Sequence, residues 1–219
     1  MKNTAAKILA IPLRLWAWLM QLLRISSGVK THRWIWQLTA DPQDCSRWIV
    51  AVCRGRGLQA ARDAAESAAQ SCPHCSLAET IGWLELRYGE DQGPQNARRW
   101  LHRAQNQHWA EHRLLLHLEL YLSPSEEHAD EIIEKILSRS DLPGHVTRSA
   151  LIQKAWRLCE KKQWTDAEQA VDRVLAVEEN YETRLLKWIC CTARADRKQA
   201  DEHLAVVKRK LPEPHYKML

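Results

Sequence analysis

A chain of 219 residues that is 45% apolar carries enough hydrophobic material for a packed core, which excludes wholesale disorder. Only 7 Gly and 8 Pro are present among abundant Ala, Leu, Gln, Glu, Lys and Arg, so helices are favoured over sheets. The net charge of +5 is uneven: residues 1–40 hold six basic and no acidic side chains, while the other 179 hold 26 and 27. A basic arm on a nearly neutral body fits an anionic membrane surface. No basic stripe runs along the body, so nucleic acid is excluded as a partner. Seven cysteines, an odd number lying mostly in helical patterns, read as buried thiols of a reducing compartment rather than a disulfide framework.

Residues 1–28 form the first element. The stretch AAKILAIPLRLWAWLMQLLRI (5–25) places Lys7, Arg14 and Arg24 on one helical face and Ile, Leu, Met and Trp around the rest. It is expected to associate with a membrane, spanning it or lying in the interface with Lys7, Arg14 and Arg24 toward phosphates and Trp16 and Trp18 at headgroup depth. A spanning helix would carry Arg14 near its centre, at a cost of about 2.5–3.5 kcal/mol, and Pro12 would kink it. No small-x-small exit follows the apolar stretch, which argues against a cleaved signal. The remaining alternatives are a transit peptide and a helix that caps the body. If it spans, the basic residues after the segment (Arg24, Lys30, Arg33) place the body on the cytoplasmic side. Residues 29–40 read as a linker or short helix.

From residue 41 to 214 a two-helix pattern recurs. It is clearest at 148–180, where Leu151, Ala155, Leu158 and Cys159 form one apolar stripe. The turn Lys162-Gln163-Trp164 leads to a second stripe at Ala167, Val171, Val174 and Leu175. Small residues recur at the opening of each second stripe: Ala61, Ala97, Ala129, Ala167 and Ala200, spaced by 36, 32, 38 and 33 residues. Each has an apolar stretch upstream, at 45–53, 78–88, 109–122, 149–159 and 181–191. Pro73 and Pro212 fall twelve residues after their anchors.

An aromatic followed by x-x-Ala at the start of a second helix, with a period near 34, resembles the tetratricopeptide repeat. The family's Trp-x-x-Leu-Gly signature is absent, and only Tyr88 matches the aromatic expected late in a first helix. The resemblance implies an all-α, right-handed solenoid of about five helical hairpins, preceded by the N-terminal amphipathic or membrane helix and followed by a tail at 215–219. It also implies a groove lined by first helices, with Leu86, Leu118, Tyr121, Ile152, Trp156, Leu185 and Ile189 on its wall. That set is apolar and lacks the Lys, Arg and Asn clamp of chaperone-binding members. The groove is therefore expected to take an apolar or amphipathic helix of another protein.

Two motifs resemble catalytic ones. Cys72-Pro73-His74-Cys75 matches the active-site tetrapeptide of oxidising thioredoxin-fold enzymes, where the first thiol opens a helix after a strand. Here AARDAAESAAQS precedes it, a helical stretch, and Pro73 also fits a helix terminator. A helix-end position can lower the pKa of one thiol, so a thiol oxidoreductase using Cys72 and Cys75, or a metal held by them, is the alternative from another class. His108-Trp109-Ala110-Glu111-His112 matches the H-x-x-E-H of inverted zinc peptidases. That chemistry needs a third ligand and a larger scaffold, so His108 and His112 are expected on a solvated helix face. No phosphate loop, Ser elbow or kinase signature appears. The expectation is a non-enzymatic, cofactor-free adaptor or assembly subunit of a membrane complex. Its closest competitor is a soluble scaffold that self-assembles by docking its N-terminal helix into the groove of the next copy.

Overall fold

The computed structural model describes residues 14–15, 28–176 and 181–210, with the side chains of Tyr181 and Lys210 excepted. Those residues form α-helices and short 3₁₀ turns, with no strand among them. The chain divides between Leu122 and Ser123 into two compact units.

In the first unit, α1 (Gly28–Thr39) turns Thr31, His32, Ile35 and Thr39 inward, a spacing of three and four that makes one buried stripe. The segment expected as a linker or short helix is thus a three-turn helix packed on α2 (Pro42–Arg56). Asp41 caps α2 by accepting from the Gln43 N–H at 2.9 Å, and Pro42 follows at the position where its missing N–H costs nothing. Helix α3 (Leu58–Ser71) presents Ala61, Ala65, Ala68 and Ala69 as its whole buried face. Side chains that small let α2 and α4 (Cys75–Tyr88) approach closely. Helix α4 pairs in turn with α5 (Gly93–Asn106).

The third expected first helix, at 109–122, is shorter than its pattern. Helix α5 ends at Asn106, His108 and Glu111 take left-handed φ of 52° and 63°, and a 3₁₀ turn at His112–Leu115 precedes α6 (Leu116–Tyr121). Trp109 is buried, and its backbone N–H donates to the Ala104 carbonyl at 3.0 Å. The next carbonyl, of Ala110, accepts from the Cys75 N–H at 3.1 Å. The backbone here satisfies a donor at the buried start of α4, and that use competes with starting a helix.

The second unit holds α7 (Glu126–Leu137), α8 (Gly144–Glu160), α9 (Trp164–Leu175), α10 (Tyr181–Ala193) and α11 (Arg197–Lys210). Ser125 caps α7 through the His128 N–H at 3.2 Å. Within this unit α7 packs on α8, α8 on α9, α9 on α10 and α10 on α11, with α8 also touching α10. The first unit shows the same alternation: α2 meets both α3 and α4, and α4 meets both α5 and α6. All five small anchors, Ala61, Ala97, Ala129, Ala167 and Ala200, are buried near the start of a second helix. Contacts about one period apart recur. The Arg157 guanidinium donates to the Glu126 carbonyl and Lys161 to Asp130, each across 31 residues, and the Cys75 thiol to the Trp109 carbonyl across 34.

Candidate functional site

Helices α8 and α10 are the first helices of consecutive hairpins and lie in contact within the second unit. Ala150, Leu151, Ala155 and Cys159 take the buried face of α8, and Ile152 and Trp156 come out half-buried one turn apart. On α10, Leu186, Cys190 and Cys191 are buried while Leu185 and Ile189 are half-buried, again one turn apart. Ile152, Trp156 and Ile189 rest on a core of Ala155, Cys159, Ala167, Ala170, Val171, Leu186 and Cys190. Their inner edges are packed and their outer edges meet solvent. The polar work of α10 is done elsewhere: buried Lys187 pairs with Glu168 at 2.8 Å and Asp172 at 2.5 Å, and Arg194 also pairs with Glu168. Burial alone would raise the Glu168 carboxyl, but the charges and hydrogen bonds of Lys187 and Arg194 together hold it below its ordinary range.

The first unit treats its three expected groove residues differently. Leu86 is half-buried against the core. Leu118 is 0% exposed and belongs to that core, so it does not line a groove wall. It sits over Gly82, where a methyl group would lie 2.5 Å from Leu118 Cδ2, so the glycine permits this approach of α6 to α4. Tyr121 is 60% exposed and meets the ring of Trp83 edge-on at 5.3 Å, with His117 tilted against the same ring at 4.8 Å. Trp83 and His117 were not among the residues singled out by pattern. They lie one period apart on neighbouring first helices, and the period is the signal that finds them.

Of the N-terminal residues expected at a membrane, Arg14 alone is described; Lys7, Trp16, Trp18 and Arg24 lie outside the described residues. The Arg14 guanidinium donates to Asp44 at 2.5 Å and lies 3.9 Å from Asp41. Asp44 is 1% exposed and is also met by Arg47 at 2.9 Å and the Thr39 hydroxyl at 3.0 Å. Those partners overcome the desolvation of Asp44 and keep its carboxyl below its usual range. No helix among the described residues is long and apolar enough to cross a membrane.

The two enzyme-like motifs fall at turns. Cys72 caps the C-terminus of α3, and His74 caps the N-terminus of α4, its Nδ1 accepting from the Ser76 N–H at 3.1 Å. Pro73 stands where α3 stops. Burial pushes the Cys75 thiol up to about 11 and raises that of Cys72 as well, the reverse of an activated pair. Cys72 also lies at the negative end of its helix dipole. His108 and His112 are exposed, but His108 and Glu111 are left-handed and residues 109–111 are not helical, so the two do not share a helix face as expected. Among the described residues no three His, Cys, Asp or Glu side chains are placed to hold a metal ion.

An open cavity of about 360 Å³ lies beside α3 and α5, lined by Arg62, Glu85, Asn96, Arg99, Trp100 and Arg103 among others. Its charges are used internally. Glu85, 1% exposed, accepts from Arg62 at 2.6 and 2.8 Å and from Asn96 at 3.2 Å. Arg103 pairs with Glu66 at 2.6 Å. This is a structural lock between hairpins rather than a set of groups converging on a reacting atom. No family model and no curated protein matches the chain.

Proposed function

We propose that this chain is a protein-binding adaptor of degenerate tetratricopeptide-like hairpins, carried to the cytoplasmic face of a membrane by its basic, apolar N-terminal arm. The observation that supports it best is the half-buried apolar strip of Ile152, Trp156, Leu185 and Ile189 on two adjacent first helices. Side chains gripped on one edge by a core and open on the other are pre-ordered, so a partner's apolar helix pays little further side-chain entropy to use them. Trp156 is the natural anchor, because large rigid aromatics dominate such contacts. The membrane half of the reading rests on the six basic and no acidic residues of the first forty.

The substitution pair Trp156→Gln and Leu185→Gln should abolish co-purification of the partner while leaving the circular dichroism of the chain unchanged. Retention of the partner would sink the groove reading. The membrane half is tested by flotation on anionic vesicles of the full chain and of Lys7→Glu/Arg24→Glu. Deleting residues 1–27 is a poorer design, because it strips Arg14 from buried Asp44 and perturbs the body directly.

One observation favours a second reading. Arg14 is tied to Asp44 on the body, and α1 exposes Trp34 and Leu38 one turn apart. An arm that docks on protein suits a soluble scaffold assembling head to tail through N-terminal helix and groove. Sedimentation of the full chain in detergent-free buffer decides: mass rising with concentration, and collapsing to a monomer in Trp156→Ala, supports assembly. A concentration-independent monomer rejects it.

A further inference from the structure

Helix α8 ends on Cys159 and Glu160, and Cys190 lies near the end of α10. The two thiols point into the same core, with their sulfurs 3.7 Å apart across 31 residues of chain. A disulfide bond is about 2.05 Å long, so the sulfurs must close by roughly 1.7 Å to form one. The neighbouring thiol does not compete: Cys191 directs its sulfur to Glu168 and Gln199, at 4.0 and 3.8 Å. Ala155, one turn before Cys159, is buried in the same core.

We propose that Cys159 and Cys190 are a redox-sensitive staple, which a small-molecule disulfide of the glutathione class oxidises to an intramolecular disulfide tying α8 to α10. When this end of the helix pair opens, the Cys159 thiolate attacks one sulfur of oxidised glutathione. The glutathione S–S bond breaks, a mixed disulfide forms on Cys159, and one glutathione leaves with the proton that Cys159 released. Cys190 then attacks the Cys159 sulfur, forms the protein S–S bond and expels the second glutathione, which takes the Cys190 proton. Two electrons pass from the two cysteines to the glutathione disulfide. Burial pushes Cys190 up to about 12 and raises Cys159 too, so the closed pair resists oxidants and reacts only through opening. The closed bond bridges the two helices that carry Trp156 and Ile189 and stiffens them. The staple stands whether or not that strip binds a partner.

The test is to refold the full chain from denaturant in an oxidised/reduced glutathione buffer and map its peptides without reduction. Half-exposed Cys72 serves as the internal control for oxidant action. The expected result is a 159–190 cross-linked peptide, with the midpoint of thermal unfolding raised by at least about 4 °C over the reduced chain. Neither change should occur in Cys190→Ala or, if that variant folds poorly, in Cys159→Ala. A Cys72–glutathione adduct without the 159–190 peptide overturns the proposal, as does a cross-linked chain whose midpoint is unchanged or lower.

Discussion

Two cysteine pairs in this protein exchange places between sequence and space. Cys72 and Cys75 are three residues apart in a tetrapeptide that resembles a redox site. In the fold they sit on either side of a turn, one closing α3 and the other opening α4, with both thiols pushed toward the neutral form by burial. Cys159 and Cys190 are 31 residues apart in unremarkable helical sequence, yet their sulfurs lie 3.7 Å from each other. Where helical hairpins stack, the residue that matters to a side chain is the one a repeat away. For these two pairs, helix packing and not closeness in sequence decides which thiols meet.

The sharpest way to break that comparison is to cut a contact that spans one period. Leu118 on α6 lies over Gly82 on α4, so Leu118→Ala should cost about 3 kcal/mol in chemical denaturation. Gly82→Ala alone should cost about 1 kcal/mol from the forced shift of Leu118, and much less once Leu118 is already Ala. Full additivity of the two would show that the contact is not formed.

A smaller effect comes from Glu79, one turn after Cys75. Burial pushes its carboxyl up to about 7. A carboxyl raised in the folded state favours folding most below its unfolded value near 4.5, and that contribution is lost as pH rises through about 7. The variant Glu79→Gln should therefore gain about 2 kcal/mol over the parent at pH 8 and nothing at pH 4. An equal difference at both pH values would contradict the assignment. The same comparison sharpens the reading of the C-P-H-C turn, because Glu79 is one of the charges that raise Cys75.

The two thiols of that turn should separate next. Cys75→Ala removes a buried side chain whose thiol donates to the Trp109 carbonyl, and should cost about 1 kcal/mol. Cys72→Ala, at a half-exposed cap, should stay within about 0.5 kcal/mol. Insulin reduction should be absent in the parent chain, and turnover lost on Cys72→Ser would restore the enzyme reading. The smallest effect is expected at Lys161→Ala. Its pair with Asp130 also spans one period, but it is solvent-exposed on both sides and should contribute under about 0.5 kcal/mol. Burial decides how much such a contact contributes.

Much of this was legible in the amino-acid sequence, and the part that was not has physical causes. The five alanine anchors could be read from spacing alone because a close helix crossing tolerates only a small side chain, and all five are buried. The all-helical class followed from composition and from the stripes at 148–180. The first helix expected at 109–122 was overextended, because its apolar run includes Trp109, which packs into the core from a turn whose next carbonyl accepts from the Cys75 N–H. The sequence marks α1 only as a linker or short helix, because its buried stripe mixes Thr31, His32 and Thr39 with a single large apolar residue, Ile35. Groove residues were the least legible. A stripe of apolar residues marks the inner half of a helix, but Leu118 at 0% exposure and Tyr121 at 60% carry the same kind of signal. Which of them faces a neighbour is set by how the next helix lies, and that is a tertiary fact.

Whether the strip on α8 and α10 holds another protein, as proposed, is tested most directly by site-specific photo-cross-linking in living cells. A photoreactive side chain placed singly at Ile152, Leu185 or Ile189 should give one discrete protein adduct of the same mass at all three positions. The same group at solvent-exposed Arg173 on α9 should give none. If the strip positions yield no adduct, or if Arg173 yields the same one, the strip is not where this protein meets its partner.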